Sequence, residues 1–525
     1  MQLRTGRWPR LLTGMGMRPP LYLPLLTLTI YLLWRGYDYA ISDQDEILPY
    51  LMHLLDANLY LSDWFVNVQL DTFGPRTLFV LIAWLPAKLF GPYATILGIY
   101  VASWFGISMA LYTLGLQLTR ERLAATICVI LALLLTPKFT LGGNDLVTWI
   151  LTPSIPAWAF SLWGLVFFVR GRLARAALLM GLGVWIQALV GLQVAMVCAL
   201  LLLWRHGWSG RQPYLFTGYF TLSALPALGP LIWFQLTRPN PEGLWSYFYI
   251  LFEFRAPHHY MPTSFDPEQA IRFALLLGLG LAAFTRLPGT HRVLVRRSLT
   301  IVAALCAVSF LCTEVLQVDM IARLQLFKLT VLIKVFCVVL ISNAVAQLIL
   351  KFYRRTLTVF FDHGHYALGA TVLITATLLI ISPDALGIRP ASEKSPAEQV
   401  AVWARDSTEI NAIFAVPPGW DHFRSQAQRA VIVNFKAVPF HQPYMTEWFT
   451  RLLDLAPVMP PPRGGAQFIA ALDSAYMSLP PPEIQRLAAK YRVDYIVRQE
   501  RVAPDGFELV YQAAPWTVWQ IKPES

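Results

Sequence analysis

The chain has 525 residues, 56% of them hydrophobic and only 14% charged, with a mean hydropathy of +0.50. Apolar content this high, gathered into long runs, excludes an ordinary water-soluble globule and places the sequence in the membrane class. The net charge of +11 does not signal nucleic acid, because Lys and Arg fall in short clusters between apolar runs, as they do in cytoplasmic loops.

Arg4, Arg7, Arg10 and Arg18 precede the first apolar run, roughly Pro20 to Trp34. No small-residue cleavage site follows it, so an uncleaved first span leaving the cytoplasm is expected. An acidic polar segment, Tyr37–Arg76, comes next. Of the apolar stretches Leu78–Phe90 and Ala94–Leu118, only one crosses if the basic turn Thr119-Arg120-Glu121-Arg122 is to stay inside. Leu78–Phe90 is therefore expected to be interfacial or re-entrant.

Leu123–Pro137 then exits and Pro153–Val169 returns. Ala176 to Trp204 is too long for one span and is basic at both ends, which predicts two short helices turning near Gln187 to Gln193. Tyr214–Leu236, Ala270–Phe284, Leu299–Leu316, Leu329–Leu350 and Tyr366–Ile381 alternate after it. The total is about eleven spans, with the N-terminus inside and the C-terminus outside. All five cysteines lie in apolar stretches, so no disulfide framework supports the polar C-terminal part.

From about Pro383 the composition shifts to Pro-rich turns, helical stretches (Pro396–Arg405, Pro443–Leu455, Pro482–Tyr491) and short β-like runs (Ala430–Phe435, Val493–Arg498, Thr517–Ile521). The expected fold class is an α-helical polytopic membrane protein, residues 1–382, carrying an extracytoplasmic α/β domain, residues 383–525.

Four polar loops then share the outer face. In the first, Ser42-Asp43-Gln44-Asp45-Glu46 precedes a run with helical apolar spacing, which predicts an interfacial helix with Asp43 and Glu46 projecting to nearly one side. Carboxylates in a first turn also suit a helix N-terminus for electrostatic reasons alone. Such density beside anionic headgroups favours a functional role. The second loop holds Gly142-Gly143-Asn144-Asp145, which is also ordinary turn chemistry. At the third, the Gln187 amide sits between two apolar helices, where a packing hydrogen bond is the plainer reading.

The fourth is the most specific. Phe252-Glu253-Phe254-Arg255-Ala256-Pro257-His258-His259-Tyr260 sets a guanidinium, two imidazoles and a phenol within six residues. Arg binds phosphate oxygens bidentately and His donates to them, so this run suits a phosphorylated lipid; an interfacial anchor is the alternative. Arg323 and Lys328 add positive charge nearby. Carboxylates on one loop and cations on another suggest transfer from a lipid-phosphate donor, with a carboxylate as general base.

In the order of these parts the chain resembles the GT-C superfamily of multispan glycosyltransferases that use polyprenyl-phosphate sugars. The resemblance rests on the acidic first loop Ser42–Glu46, Asp145, the Gly-Leu-Gly helix turning at Gln187, and the C-terminal segments Phe423-Arg424-Ser425, Asn434-Phe435-Lys436 and Glu447-Trp448-Phe449-Thr450-Arg451. It implies Asp43 or Asp45 as catalytic base and Asp145 as supporting carboxylate, with Arg255, His258 and His259 on the donor phosphate. Glu46, Tyr260, Gln187, Arg323 and Lys328 complete the candidate set. The expected function is transfer of a sugar from a polyprenyl phosphate to an extracytoplasmic glycan, lipid or protein acceptor in a bacterial inner membrane. A non-catalytic envelope-polysaccharide assembly factor, or a transporter, is the other reading. A divalent cation, Mg²⁺ or Mn²⁺, stays open as cofactor.

Overall fold

The computed structural model describes residues 20–136, 139–237, 245–362, 371–373, 375, 377, 394–499 and 506–521. It is a helical polytopic membrane protein with a small α/β unit at one end. Among the described residues, six helical stretches are long and apolar enough to cross a membrane: Pro92–Thr119, Ala188–His206, Arg211–Thr237, Pro267–Arg286, Gly289–Val315 and Asp319–Phe352. Of the other expected spans, α1 (Tyr22–Arg35), α6 (Arg122–Leu134), α7 (Ser154–Val169) and α8 (Leu173–Ile186) are shorter. Most of the last, Tyr366–Ile381, lies outside the described residues, as does the expected domain boundary near Pro383.

The first span and the helix Pro92–Thr119 run antiparallel. Along α1 and α5 (Pro92–Thr119), the Tyr37 and Tyr100 rings are 4.9 Å apart, Tyr31 and Trp104 likewise, and Trp104 donates its indole N–H to Thr27 at 3.1 Å. Positions climb in one helix as they fall in the other. The start of α5 therefore lies at the end of the bundle that bears the acidic loop. Before it, α4 (Thr77–Phe90) packs on α2 (Leu48–Leu55), with Trp84 donating to the Leu54 carbonyl at 2.8 Å. Its 14 residues make ~21 Å, against the ~30 Å of a hydrocarbon core. This helix stays with the loop it follows.

The Ala176–Trp204 block breaks at Gln187 into α8 and α9 (Ala188–His206). Gln187 has an extended backbone, and its amide oxygen accepts the Val190 N–H at 2.8 Å, capping α9. The pair closes tightly because Gly191 has no side chain: a Cβ there would stand 2.3 Å from the Met180 carbonyl oxygen. Onward run α10 (Arg211–Thr237), the short α11 (Pro257–Tyr260), α12 (Pro267–Ala283), α13 (Gly289–Phe310), the short α14 (Asp319–Arg323) and α15 (Thr330–Asp362).

The C-terminal unit holds a five-stranded sheet of order β2-β1-β3-β5-β4, from β1 (Ile413–Ala415), β2 (Ala430–Val431), β3 (Tyr495–Arg498), β4 (Phe507–Ala513) and β5 (Trp516–Ile521). β1 pairs in parallel with β2 and β3, whereas β5 runs antiparallel to β3 and β4. Its helices are α16 (Pro396–Ser407), α17 (Phe423–Ala427), α18 (Gln442–Leu455), α19 (Ile469–Met477) and α20 (Pro481–Tyr491). α16 opens on a capping box made by Ser395 and Glu398.

The unit is built into the bundle rather than hung from it. Phe254, in the π-helical turn Tyr249–Arg255, meets Phe435, Phe449 and Phe468 edge-on with centroids 4.9–5.9 Å apart. Buried Ile250, Leu251 and Phe252 share one apolar cluster with Trp448, Leu452 and Ile496. Arg463 pairs with Glu314 at 2.7 Å and also donates to Thr263. The end of the bundle with the acidic loop is thus a capped end.

Candidate functional site

Residues 42–46 do not begin the interfacial helix that their spacing predicts. Ser42–Glu46 is a separate 3₁₀ turn, and α2 starts at Leu48 with Pro49 in its first turn. Pro49 has no N–H to bond back toward residue 45, so the α-helix cannot extend through the acidic residues. Ala40 and Ser42 take positive φ (61° and 54°), and the Gln44 side chain accepts the Ala40 N–H at 2.7 Å. The turn sends its three carboxylates to different partners.

Asp45 is fully buried. It accepts from Arg424 Nη1 at 2.7 Å, Asn434 Nδ2 at 2.7 Å and Ser425 Oγ at 2.7 Å, and from the Ser425 N–H at 3.2 Å. The same guanidinium reaches Asp63 through Nε at 2.9 Å, and Tyr60 donates to the Arg424 carbonyl at 2.9 Å. Asp63 also caps α3 (Trp64–Asp71) by accepting from the Val66 N–H at 3.0 Å. A general base needs reach to a substrate proton; this carboxylate is sealed and saturated. Asp45 fastens the C-terminal unit to the first loop.

Asp43 and Glu46 face a different set of groups. Asp43 is 31% exposed and pairs with Lys436 of the C-terminal unit at 2.6 Å. Glu46 pairs with Arg76 at 3.0 Å, and its backbone carbonyl accepts from Gln69 at 2.7 Å. Arg255 lies over the Phe435 ring at 4.8 Å and gives one N–H to the Lys436 carbonyl at 2.7 Å. It is only 8% exposed, and its buried Nε has no hydrogen-bond partner among the described residues. Lys328, 9% exposed in the turn before α15, lies within electrostatic reach of Asp43 and Arg76.

The adjacent histidines are seated by the second loop. His259 Nδ1 is 2.6 Å from the Gly142 carbonyl, which only accepts, so Nδ1 carries the proton and Nε2 keeps its lone pair. His258 packs on His259 at 4.1 Å between ring centroids. Gly142 and Gly143 have φ of 68° and 65°, and a Cβ on Gly143 would lie 3.0 Å from His259 Cε1. Glycine is required there for both its conformation and its size.

These contacts set the protonation states. Burial, with His259 and Arg255 beside it, lowers the His258 pKa to about 2; burial, with Lys328 and Lys436 near, lowers His259 to about 4. Both rings are neutral at physiological pH. Burial alone would raise Asp43, but Lys436 and Arg76 outweigh it and hold the carboxyl well below its usual range. Glu46 is raised by burial, only partly offset by Arg76.

Asp43, Glu46, Arg255, His258, His259, Tyr260 and Lys328 thus come together, joined by Arg76 and Lys436. Arg323 lies at the margin, paired with Asp319 at 2.8 Å and placed 3.8 Å over the Tyr247 ring. Gln187 is a helix cap elsewhere. Asp145 lies under the second loop, where it pairs with Lys334 of α15 at 2.7 Å, both groups being buried. Among the described residues, no three His, Cys, Asp or Glu side chains are arranged to hold a metal ion. Sequence reasoning assigned no role to Arg76 or Lys436; the signal for Lys436 was an isolated Lys between Val431-Ile432-Val433 and Ala437-Val438.

Among solved structures, the crystal structure of ArnT from Cupriavidus metallidurans in the apo state is similar, with a TM-score of 0.42 and 12% sequence identity. The alignment covers 95% of this chain and 97% of that one. The model of a family described as a domain of unknown function (DUF6798) matches residues 395–455, the stretch that contains Arg424, Ser425, Asn434 and Lys436. No curated protein matches the chain.

Proposed function

We propose that this protein is a membrane glycosyltransferase of the GT-C kind, moving a sugar from a polyprenyl-phosphate donor to an acceptor hydroxyl at its capped end, which faces out of the cytoplasm of a bacterial inner membrane. The observation that carries this reading is the meeting of Asp43 and Glu46 with Arg76, Arg255, Lys328 and Lys436 at one end of an apolar bundle.

The chemistry follows from reach and charge. Asp43 is the partly exposed carboxylate and is held ionised, so it accepts the proton of the acceptor hydroxyl as that oxygen attacks the anomeric carbon. The bond from the sugar to the phosphate oxygen breaks, and the lipid phosphate departs with the electron pair. Arg255, Arg76 and Lys328 stabilise the charge that grows on it, in a site where burial strengthens each interaction. The neutral histidines contribute no competing charge, and the His259 Nε2 lone pair accepts a hydrogen bond from a sugar hydroxyl. Asp145 acts at a distance, positioning the second loop through Lys334.

Asp43→Asn is expected to lower transfer by at least about 10²-fold, the scale of a lost general base, with protein yield and unfolding temperature unchanged. The assay follows release of polyprenyl phosphate by detergent-purified protein. Retained transfer in Asp43→Asn and Glu46→Gln alike removes the assignment. A specific observation favours the non-catalytic reading as well: Asp43, Asp45, Glu46 and Asp145 all have cationic partners. That reading expects an unchanged envelope phenotype after the same substitutions.

A further inference from the structure

Lys436 is an unusual member of the site because the C-terminal unit supplies it. Its backbone carbonyl is held by buried Arg255, and two residues earlier Asn434 is held by buried Asp45. The residue's main chain is therefore fixed at both sides. Its ammonium is not: the side chain is 27% exposed and pairs with Asp43, itself 31% exposed. Of the pairs at the capped end that involve the first loop, Arg424–Asp45 and Arg424–Asp63 are sealed, and Glu46 is 4% exposed beside Arg76. Lys436–Asp43, by contrast, stands open to an incoming molecule.

Around that pair, cations outnumber carboxylates. Arg76, Arg255, Lys328 and Lys436 face Asp43 and Glu46. A third carboxyl, Asp421, lies within electrostatic reach; burial raises its pKa and lowers that of Lys328 to about 8, which leaves the cations in the majority. Arg255 also keeps a buried N–H without a partner among the described residues. A site with surplus positive charge, a buried donor that meets no acceptor among the described residues, and an exposed ion pair is built to receive an anion. A flexible ammonium on a fixed backbone exchanges partners at little conformational cost.

We propose that Lys436 is the mobile counter-ion of the site, neutralising Asp43 when the site is empty and moving to the anionic oxygens of a phosphate-bearing ligand when one arrives. This rests on the proposed function for the identity of the ligand, and it adds how the carboxylate is released. Without exchange, the base stays masked by its own ion pair. With it, arrival of the phosphate frees Asp43 for the acceptor proton. The C-terminal unit thereby makes carboxylate availability conditional on donor occupancy.

Binding of geranyl monophosphate to the full-length protein in detergent tests this without any transfer reaction. Lys436→Met is expected to weaken binding about 10-fold or more, the worth of one charge-assisted hydrogen bond, and Lys436→Arg to restore most of it. Asp43→Asn is expected to tighten binding severalfold, because the ammonium no longer has to leave a carboxylate. In the Lys436→Met background the Asp43→Asn gain is expected to shrink, because only carboxylate–phosphate repulsion is left to relieve. A gain there as large as in the parent background reflects general removal of negative charge and overturns the exchange, as does an Asp43→Asn variant that binds no better than the parent. Failure of the parent to bind the probe at millimolar concentration overturns it too. Unfolding temperatures of the four variants separate these outcomes from misfolding. Intact exchange in a protein that transfers no sugar rejects the glycosyltransferase reading alone.

Discussion

Arg424 carries more structural responsibility than any other charged residue of the C-terminal unit. One guanidinium bonds two buried carboxylates from the first loop, Asp45 and Asp63, through different nitrogens, while Tyr60 closes on its backbone. Burying three charges is costly, so the arrangement is no large net source of stability. It acts for specificity instead: this docking of the unit matches both carboxylates at once. Arg424→Ala is expected to lower stability by about 3–5 kcal/mol, since two buried anions lose their counter-charge. Arg424→Lys recovers only part of this, because a single ammonium cannot bond both carboxylates along the planar fork. Thermal unfolding in detergent, with limited proteolysis of the C-terminal unit, reads both; an Arg424→Ala variant as stable as the parent refutes the latch. The same residue explains a limit of sequence reading. Asp43, Asp45 and Glu46 look alike within five residues, and what divides fastener from candidate base is a partner more than 350 positions away. Arg255, His258, His259 and Tyr260 were legible because their chemistry is concentrated in six consecutive residues.

At the level of elements, periodicity and loop charge revealed most of the bundle, including the break at Gln187, because long apolar runs bounded by Arg clusters leave few alternatives. The acidic turn was misjudged as a helix since Pro49 stops the α-helix from running back through it. In the C-terminal unit, β1 and β4 gave no clear signal. β1 has three residues, too few for an alternation to register, and β4 is largely exposed with only its end residues buried. The Gly142-Gly143 loop was read as a turn, yet its role is to seat His259. Gly143→Ala tests that role. It forces a side chain into left-handed φ and sets a Cβ 3.0 Å from His259 Cε1, for an expected loss of about 1–3 kcal/mol. In a His259→Ala background the clash is gone and only the backbone strain remains, so the same change costs less. Additive losses in the double variant remove His259 as the neighbour that matters.

At the scale of the whole molecule, the charge distribution along the bundle is the argument for orientation. The turns at the end opposite the C-terminal unit carry Arg120, Arg122, Arg170, Arg172, Arg175, Arg205 and Arg211, then Arg286, Arg292, Arg296 and Arg297. The capped end sets Asp43, Asp45, Glu46, Asp63 and Glu314 in ion pairs with its cations. Positively charged short loops remain in the cytoplasm during insertion, so the capped end is expected to face outward, where the proposed function requires a donor in the outer leaflet. Two exposed positions report it directly: Trp208 in the turn before α10, 77% exposed, and Met459 in the C-terminal unit, 82% exposed. In intact cells a membrane-impermeant maleimide is expected to label Met459→Cys and to spare Trp208→Cys until the membrane is opened. The parent serves as the blank, because Cys128, Cys198 and Cys337 are buried and Cys306 and Cys312 half-buried. The reverse pattern inverts the molecule, places Asp43 and Lys436 in the cytoplasm, and requires a donor presented at the inner leaflet.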